Sequence, residues 1–272
     1  FKEGVALVSN GLWGFIDKQG GMIIPPTFHD AGDFLEDLAP VCQKGFWGFI
    51  NLQGNIEISP QFEFAWGFSN DLAAVGFQKK WGFIQKSGDY FIKPKLDFVW
   101  SFSENKGVVQ LGGQWAVIGK SGKLIFKPNY EFVGPFKEGR ARVNIGGKKI
   151  GHRFIQGGKW GYMDNTGALV LRPCYDFNWN YSEGLAGTYT QETDLWSYIN
   201  LQGQEEFSLK VDGAMPFSQG LAVVEMNKKY GYIDKTGTLV LETLFEEAKS
   251  FSENLAAVKI FVGKKLVRPS DF

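Results

Sequence analysis

The side chains that most often perform acid, base or metal chemistry are scarce in this sequence. Its 272 residues include two histidines, His29 and His152, and two cysteines, Cys42 and Cys174. The sequence has no Ser-His-Asp series, no Cys-His pair and no metal-ligand spacing, so nucleophilic and zinc chemistry have no visible basis. We therefore expect no enzymatic activity, no metal and no cofactor; paired carboxylates on a β scaffold stay open as the alternative.

Two other sets of residues are suited to recognising a partner. Large apolar side chains come from Trp66, Trp100, Trp179 and Met215, and such residues stack on sugars or grip apolar groups. The densest positive segment contains Arg140, Arg142, Lys148, Lys149, His152 and Arg153. The whole chain is neutral, with 29 Lys+Arg and 29 Asp+Glu, which argues against broad binding to nucleic acid or anionic membrane.

The elements that position these residues follow from an internal repeat. A Trp-Gly phrase and its variants recur seven times, at Trp13, Trp47, Trp81, Trp115, Trp160, Trp196 and Tyr230. The steps between them are 34, 34, 34, 45, 36 and 34 residues. A period of this size is typical of stacked or radially arranged units, each too small to bury its own apolar face.

One unit shows the predicted secondary structure. Leu72–Phe77 and Lys80–Gln85 are predicted strands joined by a tight turn, and Gly88 marks the following hairpin turn. A third strand over 90–93 is predicted to end at Pro94, and a fourth covers 98–102. No segment has a helical period, so each unit is predicted to be an antiparallel meander.

Comparison of the seven copies separates what the fold requires from what it permits. Glycine occupies the turn position in every copy, which predicts a positive φ. The residue after Trp is always small, which predicts close approach of a neighbouring backbone or ring. A repeated aromatic position is predicted to lie in the core, and it holds Phe34, Phe68, Phe102, Phe136, Tyr181, Phe217 and Phe251.

The phrases Trp-Gly-Phe-Ile-Asp-Lys-x-Gly, Ile-x-Pro-x-Phe and Phe-Ser-Glu-x-Leu-Ala-x-Val resemble those of the WG-repeat, or KWG-repeat, family of bacterial proteins. The resemblance covers essentially the whole chain. It implies a β-rich repeat domain with an interaction role and no catalytic residues. The fourth and sixth copies depart most, because Ala116 and Ser197 replace the glycine and Leu209 replaces a proline.

We predict an all-β fold and a single domain over residues 1–272. Its seven units of ~34 residues start near residues 1, 34, 68, 102, 136, 181 and 217. A half unit over 251–272 would close or cap the array. A closed β-propeller-like ring is favoured because closure removes exposed strand edges, and an open β-spiral is the alternative.

Sites of recognition are expected where the copies disagree. Two residues before the core aromatic, the copies carry Gly32, Trp66, Trp100, Gly134, Trp179, Met215 and Lys249. A position that accepts Gly and Lys is not demanded by the core, so tryptophan there is a candidate for binding. The alternative is that these tryptophans fill gaps between particular units.

The fifth unit carries the second departure. The connection from Val143 to Trp160 is 11 residues longer than the one from Val75 to Trp81. This 144–158 hairpin, with Arg140 and Arg142 before it, is predicted to bind an anionic ligand or an acidic protein segment. A tolerated, solvated hairpin extension is the alternative.

These features predict a non-catalytic scaffold for macromolecular, chiefly protein–protein, interaction. The alternative is a carbohydrate-binding module that uses the same tryptophans, and nucleic acid is the weakest candidate partner. No apolar run approaches the ~18 residues of a membrane helix. Phe1 lies inside a repeat and no signal peptide or initiator Met precedes it, so we expect a trimmed or mature fragment, with the cytoplasm favoured.

Overall fold

The structure is a computed structural model that describes residues 1–151 and 154–260. Within those ranges every regular element is a β-strand, which confirms the all-β prediction. No helix long or apolar enough to cross a membrane occurs in this part of the chain. His152, Arg153 and the end of the predicted half unit, residues 261–272, lie outside the described residues.

The chain divides into two compact units, Phe1–Asn180 and a second that starts at Tyr181. The strands of the first unit are β1 (Val5–Ser9), β2 (Trp13–Asp17), β3 (Met22–Phe28), β4 (Asp30–Ala31), β5 (Leu38–Gln43), β6 (Phe46–Asn51), β7 (Ile56–Phe62), β8 (Phe64–Ala65), β9 (Leu72–Phe77), β10 (Lys80–Gln85), β11 (Tyr90–Leu96), β12 (Phe98–Val99), β13 (Lys106–Leu111), β14 (Gln114–Gly119), β15 (Leu124–Phe126), β16 (Phe132–Lys137), β17 (Arg140–Ile145), β18 (Lys148–Lys149), β19 (Ile155–Gln156), β20 (Lys159–Asp164), β21 (Leu169–Tyr175) and β22 (Phe177–Asn178). The strands of the second unit are β23 (Leu185–Thr190), β24 (Leu195–Asn200), β25 (Glu205–Leu209), β26 (Gly213–Ala214), β27 (Ala222–Met226), β28 (Lys229–Ile233), β29 (Leu239–Phe245), β30 (Glu247–Ala248) and β31 (Val258–Lys259).

Neighbouring strands pair antiparallel in a series of small meanders. In the first unit the sheets are β1-β2-β3, β4-β5-β6-β7, β8-β9-β10-β11, β12-β13-β14-β15 and β16-β17-β20-β21, with β18-β19 as a separate hairpin. In the second unit β23, β24 and β25 pair in that order, followed by β26-β27-β28-β29 and β30-β31. The predicted meanders are thereby confirmed, while the single domain and the closed ring stay predictions.

The seven turn glycines behave as their positions in the repeat predict, and so do the predicted core aromatics except Phe251, which is only half-buried. The seven turn glycines all have positive φ, between +72° at Gly122 and +88° at Gly167. Phe34, Phe68, Phe102, Phe136 and Phe217 are each at most 1% exposed. The turn between β9 and β10 has positive φ at both Gln78 and Lys79, the geometry that matches the twist of a two-residue hairpin.

The third strand of each regular repeat contains a bulge, and this explains the glycine after Trp. In the third repeat Trp81 pairs with Leu96 while Phe83 pairs with Ile92, so two extra residues of β11 bulge opposite Gly82. A Cβ on Gly82 would lie 2.8 Å from the Pro94 nitrogen and would also collide with the Ile92 carbonyl oxygen. The predicted close approach of a backbone is confirmed at this position. The predicted strand end at Pro94 is wrong, because a bulged edge strand needs no donor from proline.

The fourth and sixth copies have Ala116 and Ser197 in place of the glycine after Trp, and they accommodate the larger residue in different ways. In the sixth repeat Ser197 pairs directly with Ser208, so the bulge opposite this residue is absent, a register shift remains only between Tyr198 and Ile199, and glycine is not needed there. In the fourth repeat Ala116 has a methyl group where the five glycine copies have no side chain, and β15 is only three residues long. Its pairing with β14 is limited to Val117–Phe126 and Ile118–Leu124.

Consecutive repeats are joined by side chains of the turn that precedes each first strand. The Ser69 hydroxyl donates to the Phe102 carbonyl at 2.6 Å, and Ser103 makes the same bond to Phe136. Carboxylates of this turn accept backbone N–H bonds one repeat further on, as Glu3 does from Glu36 and Glu36 does from Asp71. These bonds fix the spacing of the repeats and therefore the spacing of any site that spans them.

Candidate binding site

The divergent tryptophans of the first unit stand directly after the short strands. Trp66 follows β8 and Trp100 follows β12, and each backbone N–H continues the ladder by donating, at 2.9 Å, to Ala74 and to Val108 respectively. Because the two residues occupy the same register in successive repeats, their rings are neighbours, with centroids 6.1 Å apart and planes tilted by 40°.

Both tryptophans are half-buried. The Trp66 ring lies 5.2 Å from that of Trp81, and the Trp100 ring meets Phe98 edge-on at 5.0 Å. The Trp100 indole N–H donates to the Val133 carbonyl at 2.9 Å. The rings are therefore held in place by the repeats on which they pack, while part of each stays accessible. Packing between repeats is observed, and a role in binding stays a prediction.

The other members of this position lie in different surroundings. Trp179 is half-buried and packs edge-on against Phe177 at 4.8 Å. Met215, in the second unit, is 37% exposed. In the first repeat a side chain on Gly32 would lie 2.8 Å from the Pro40 ring, so that copy has no room for tryptophan.

Arg142 is linked to Trp100 through the Phe132 ring, although the sequence grouped it with the basic hairpin. It lies on β17 opposite Gly134, where a Cβ would come within 2.9 Å of the Arg142 Cγ. Its guanidinium carbon sits 5.4 Å from the Phe132 ring centre and 4.9 Å from that of Trp160, within the range of cation–π attraction. The Trp100 ring contacts the same Phe132 at 6.0 Å.

The charge of Arg142 is poorly compensated. Its Nη1 donates to the Asn178 carbonyl at 2.8 Å, whereas its Nε is buried without a hydrogen-bond partner. Burial lowers the pKa of Arg142, and the one opposing influence is Tyr162 rather than a carboxylate. Burying a guanidinium in this setting costs desolvation free energy, and no ion pair with a carboxylate offsets that cost.

Asn178 is a site residue that the sequence reasoning missed. Its side chain is fully buried, its Nδ2 donates to the Gly161 carbonyl at 3.3 Å, and its Oδ1 has no hydrogen-bond partner. The same position in the other copies is always Ala or Val, namely Ala31, Ala65, Val99, Val133, Ala214 and Ala248. That single polar exception was the signal that could have identified it.

The predicted 144–158 hairpin forms, as β18 and β19. Asn144 anchors its base, because its Nδ2 donates to the Gly157 carbonyl and its Oδ1 accepts from the Gly147 N–H. Lys149 reaches the Gly113 carbonyl at 3.2 Å, and Lys148 is exposed. Near the tip Phe154 is 69% exposed, so the hairpin presents apolar as well as basic groups.

Arg140, the remaining residue of the predicted basic segment, is half-buried. Its Nη1 donates to the Gly139 carbonyl at 3.2 Å, and it contributes to the lowered pKa of Asp164, for which the hydrogen bond from Thr166 is the main cause. Arg140 thus acts within its own sheet, whereas Arg142 also bonds Asn178 of β22, and the sequence predicted neither role.

The shortened β15 leaves a groove beside the fourth repeat. Its volume is about 460 Å³, and its lining includes Ile92, Leu96, Trp115 and Leu124. The groove lies where β15 ends at Phe126, before the residue that would pair with Trp115 as Leu96 pairs with Trp81 in the third repeat.

The remaining side chains that could do chemistry are the candidate metal ligands and the recurring acidic residues. Within residues 1–151 and 154–260, no three His, Cys, Asp or Glu side chains are grouped so that they could hold a metal ion. The acidic position beside the third strand has structural partners. Asp97 accepts from Lys80 at 2.6 Å and from the Gly113 N–H at 3.2 Å, and Asp212 accepts from the Asn227 N–H at 2.6 Å.

Comparison with known proteins gives one family and a set of distant folds. A family model described as "WG containing repeat" matches residues 13–45, 47–81, 81–115, 115–148, 160–188, 196–230 and 230–260. No curated protein sequence matches the chain.

Among solved structures, one described as the eukaryotic initiation factor is 11% identical, covers 90% of this chain and 75% of its own, and has a TM-score of 0.59. Hsv2p from Kluyveromyces lactis is 12% identical, with 75% and 73% covered and a TM-score of 0.51. Virginiamycin B lyase from Staphylococcus aureus is 12% identical, with 84% and 90% covered and a TM-score of 0.49. At these identities the likeness concerns the fold alone.

Proposed function

Because the chain belongs to the WG-repeat family, we propose that it is a non-catalytic β-repeat scaffold that binds another protein. The binding face is the one that carries Trp66 and Trp100. The observation behind this proposal is that two half-buried tryptophans stand side by side, 6.1 Å apart, at a position that three of the other five copies fill with Gly or Lys.

The energetics of interfaces favour this choice of residues. Tryptophan is enriched among residues that dominate binding energy, especially where the ring is held by its neighbours and loses little entropy on binding. The Trp100 ring is held in this way, since its N–H is bonded to Val133 and its ring packs on Phe98. It should therefore lose little entropy on binding. Trp179 and Met215 occupy the equivalent position in their own repeats and are further candidate contacts.

The hairpin of β18 and β19 supplies a second candidate contact. It combines the exposed Lys148 with the exposed Phe154 and Ile150, a mixture of positive charge and apolar surface that suits an acidic protein segment better than a polynucleotide. The proposal of no catalysis is supported by the recurring acidic position, because Asp97 is bound to Lys80 and the Gly113 amide and Asp212 is bound to the Asn227 amide.

A capture experiment with matched variants tests the proposed face. Trp66→Ala with Trp100→Ala should lose the proteins that the parent chain captures from native lysate, while Phe46→Ala, which removes a 47% exposed aromatic from β6, should keep them. Circular dichroism should be the same for all three proteins. If the alanine pair unfolds, Trp66→Lys with Trp100→Lys replaces it, because the fold accepts Lys249 at this position.

Two results would refute the proposal. Undiminished capture by a folded Trp66 and Trp100 variant would show that the face is not used. Saturable quenching of tryptophan fluorescence by an oligosaccharide, lost in the same variant, would replace the protein partner by a glycan.

A further inference from the structure

Three departures from the repeat pattern meet in one place in the first unit. Gly134 stands where the two preceding repeats have Trp66 and Trp100, Arg142 stands opposite it, and Asn178 is polar where every other copy is Ala or Val. They are physically linked, because Gly134 makes room for the Arg142 side chain and the Asn178 carbonyl accepts from Arg142.

The fold does not need an arginine at this position. The residues that accept the equivalent backbone hydrogen bond in other repeats are Pro40, Ala74, Val108, Val223 and Ala257, all of them apolar. An arginine there must be desolvated, and its Nε is left unbonded. Burying the Arg142 guanidinium costs desolvation free energy, and an apolar residue such as valine would serve the fold at this position. We therefore take Arg142 to serve a purpose other than folding.

The guanidinium keeps an accessible edge. Of its three nitrogens only Nε is both buried and unpaired, and Nη1 is bonded to Asn178. Nη2 has no hydrogen-bond partner among the described residues and is not buried, so it can receive an acceptor from outside. The Phe132 and Trp160 rings beside it reduce competition from water, which strengthens a charge-assisted hydrogen bond.

We infer that Arg142 binds a carboxylate of an acidic peptide segment, with Trp100 and Trp66 holding the apolar residue next to it. This inference rests on the proposed function and names its partner more closely. One unpaired guanidinium matches the single charge of an Asp or Glu side chain, and the adjoining pair of tryptophans matches an apolar neighbour. Arg142 is a specificity residue for that segment, and Asn178 and Gly134 position it.

The test uses a set of short, capped peptides that each carry one Glu between two apolar residues, and a second set with Gln in place of Glu. Fluorescence anisotropy measures binding to the parent chain. The Glu peptides should bind about 10- to 100-fold more tightly than their Gln counterparts, as expected for one charged hydrogen bond. The preference should weaken as salt is raised.

Variants then locate the preference. Arg142→Gln should bind both sets equally, whereas Arg172→Gln, which removes an exposed arginine from β21 of the same sheet, should keep the preference. Trp66→Ala with Trp100→Ala should weaken both sets. If circular dichroism shows that Arg142→Gln does not fold, the affinities of the Glu and Gln peptides for the parent chain still decide whether the chain recognises a carboxylate.

Three outcomes would overturn the inference: no peptide binds, both sets bind equally to the parent chain, or the preference survives Arg142→Gln. Capture from lysate that still depends on Trp66 and Trp100 would leave the proposed function intact in each case. Equal binding of both sets together with loss of stability in Arg142→Gln would assign Arg142 to packing alone.

Discussion

Gly82→Ala places one methyl group against the backbone of a neighbouring strand. The new Cβ would lie 2.8 Å from the Pro94 nitrogen and 2.9 Å from the Lys93 carbonyl carbon, and closer still to the Ile92 oxygen. All three atoms belong to the main chain, so no side-chain rotation can relieve the contact. The bulge of β11 must move or the pairing of Trp81 with Leu96 must open.

The fourth repeat shows the structural form that such an opening takes. There Ala116 is accompanied by a strand of three residues in place of the seven of β11. The same response in the third repeat would expose Leu96, now 5% exposed. Burial of a leucine contributes about 1.5–3 kcal/mol, and each lost backbone hydrogen bond costs about 1 kcal/mol. We therefore expect Gly82→Ala to lower the free energy of unfolding by about 3 kcal/mol or more.

Urea denaturation followed by tryptophan fluorescence measures this loss. Gly119→Ala is the matched control, because its Cβ would meet only Ile125 at an ordinary 3.6 Å, and we expect it to change stability by less than about 1 kcal/mol. If Gly82→Ala were as stable as Gly119→Ala, the bulge would not be the reason for glycine after Trp, and the account of the repeat would be wrong.

Two further predictions follow from contacts within single repeats. Ala116→Gly should let β15 extend and pair with Trp115, so that the amides around Asn129 and Tyr130 become protected from hydrogen exchange; unchanged exchange would show that Ala116 does not cause the short strand. The hydrogen bond from Lys80 holds the pKa of Asp97 below its ordinary value of 3.8, so its stabilisation is present above that pH and is lost as pH falls through the folded value. Asp97→Asn should therefore lose less stability on acidification than the parent chain, by about 1 kcal/mol or less for an exposed pair, and equal losses in urea titrations would contradict this.

Much of the repeat could be read from the sequence because it depends on local geometry. A turn with positive φ favours glycine wherever it occurs, and Gly88 and its equivalents follow that rule. The strands Leu72–Phe77 and Lys80–Gln85 were predicted with the bounds that the structure has, since a two-residue turn fixes the register of its hairpin. The strand end at Pro94 was missed because a bulge removes the penalty that proline normally carries.

The candidate site was predicted only in part, because its members come from different repeats. The position of Trp66 and Trp100 was identified by comparing copies. The sequence left packing and binding as alternatives for these residues. The structure shows rings that are partly packed and partly accessible. Arg142 was assigned to the basic hairpin because it is close to it in sequence. Side chains alternate across a strand, and that alternation, with the space above Gly134, directs it to Phe132 and Trp160 instead.

The order of residues along the chain is enough to specify the period, the antiparallel meanders, the glycine turns and the buried aromatic position, since each depends on backbone angles or on alternation within one repeat. The tertiary structure alone decides which charge is buried and which ring stays accessible. Those properties depend on what the next repeat brings within a few ångströms, as Asn178 does for Arg142 and Val133 does for Trp100, and such distances arise only when the repeats pack together.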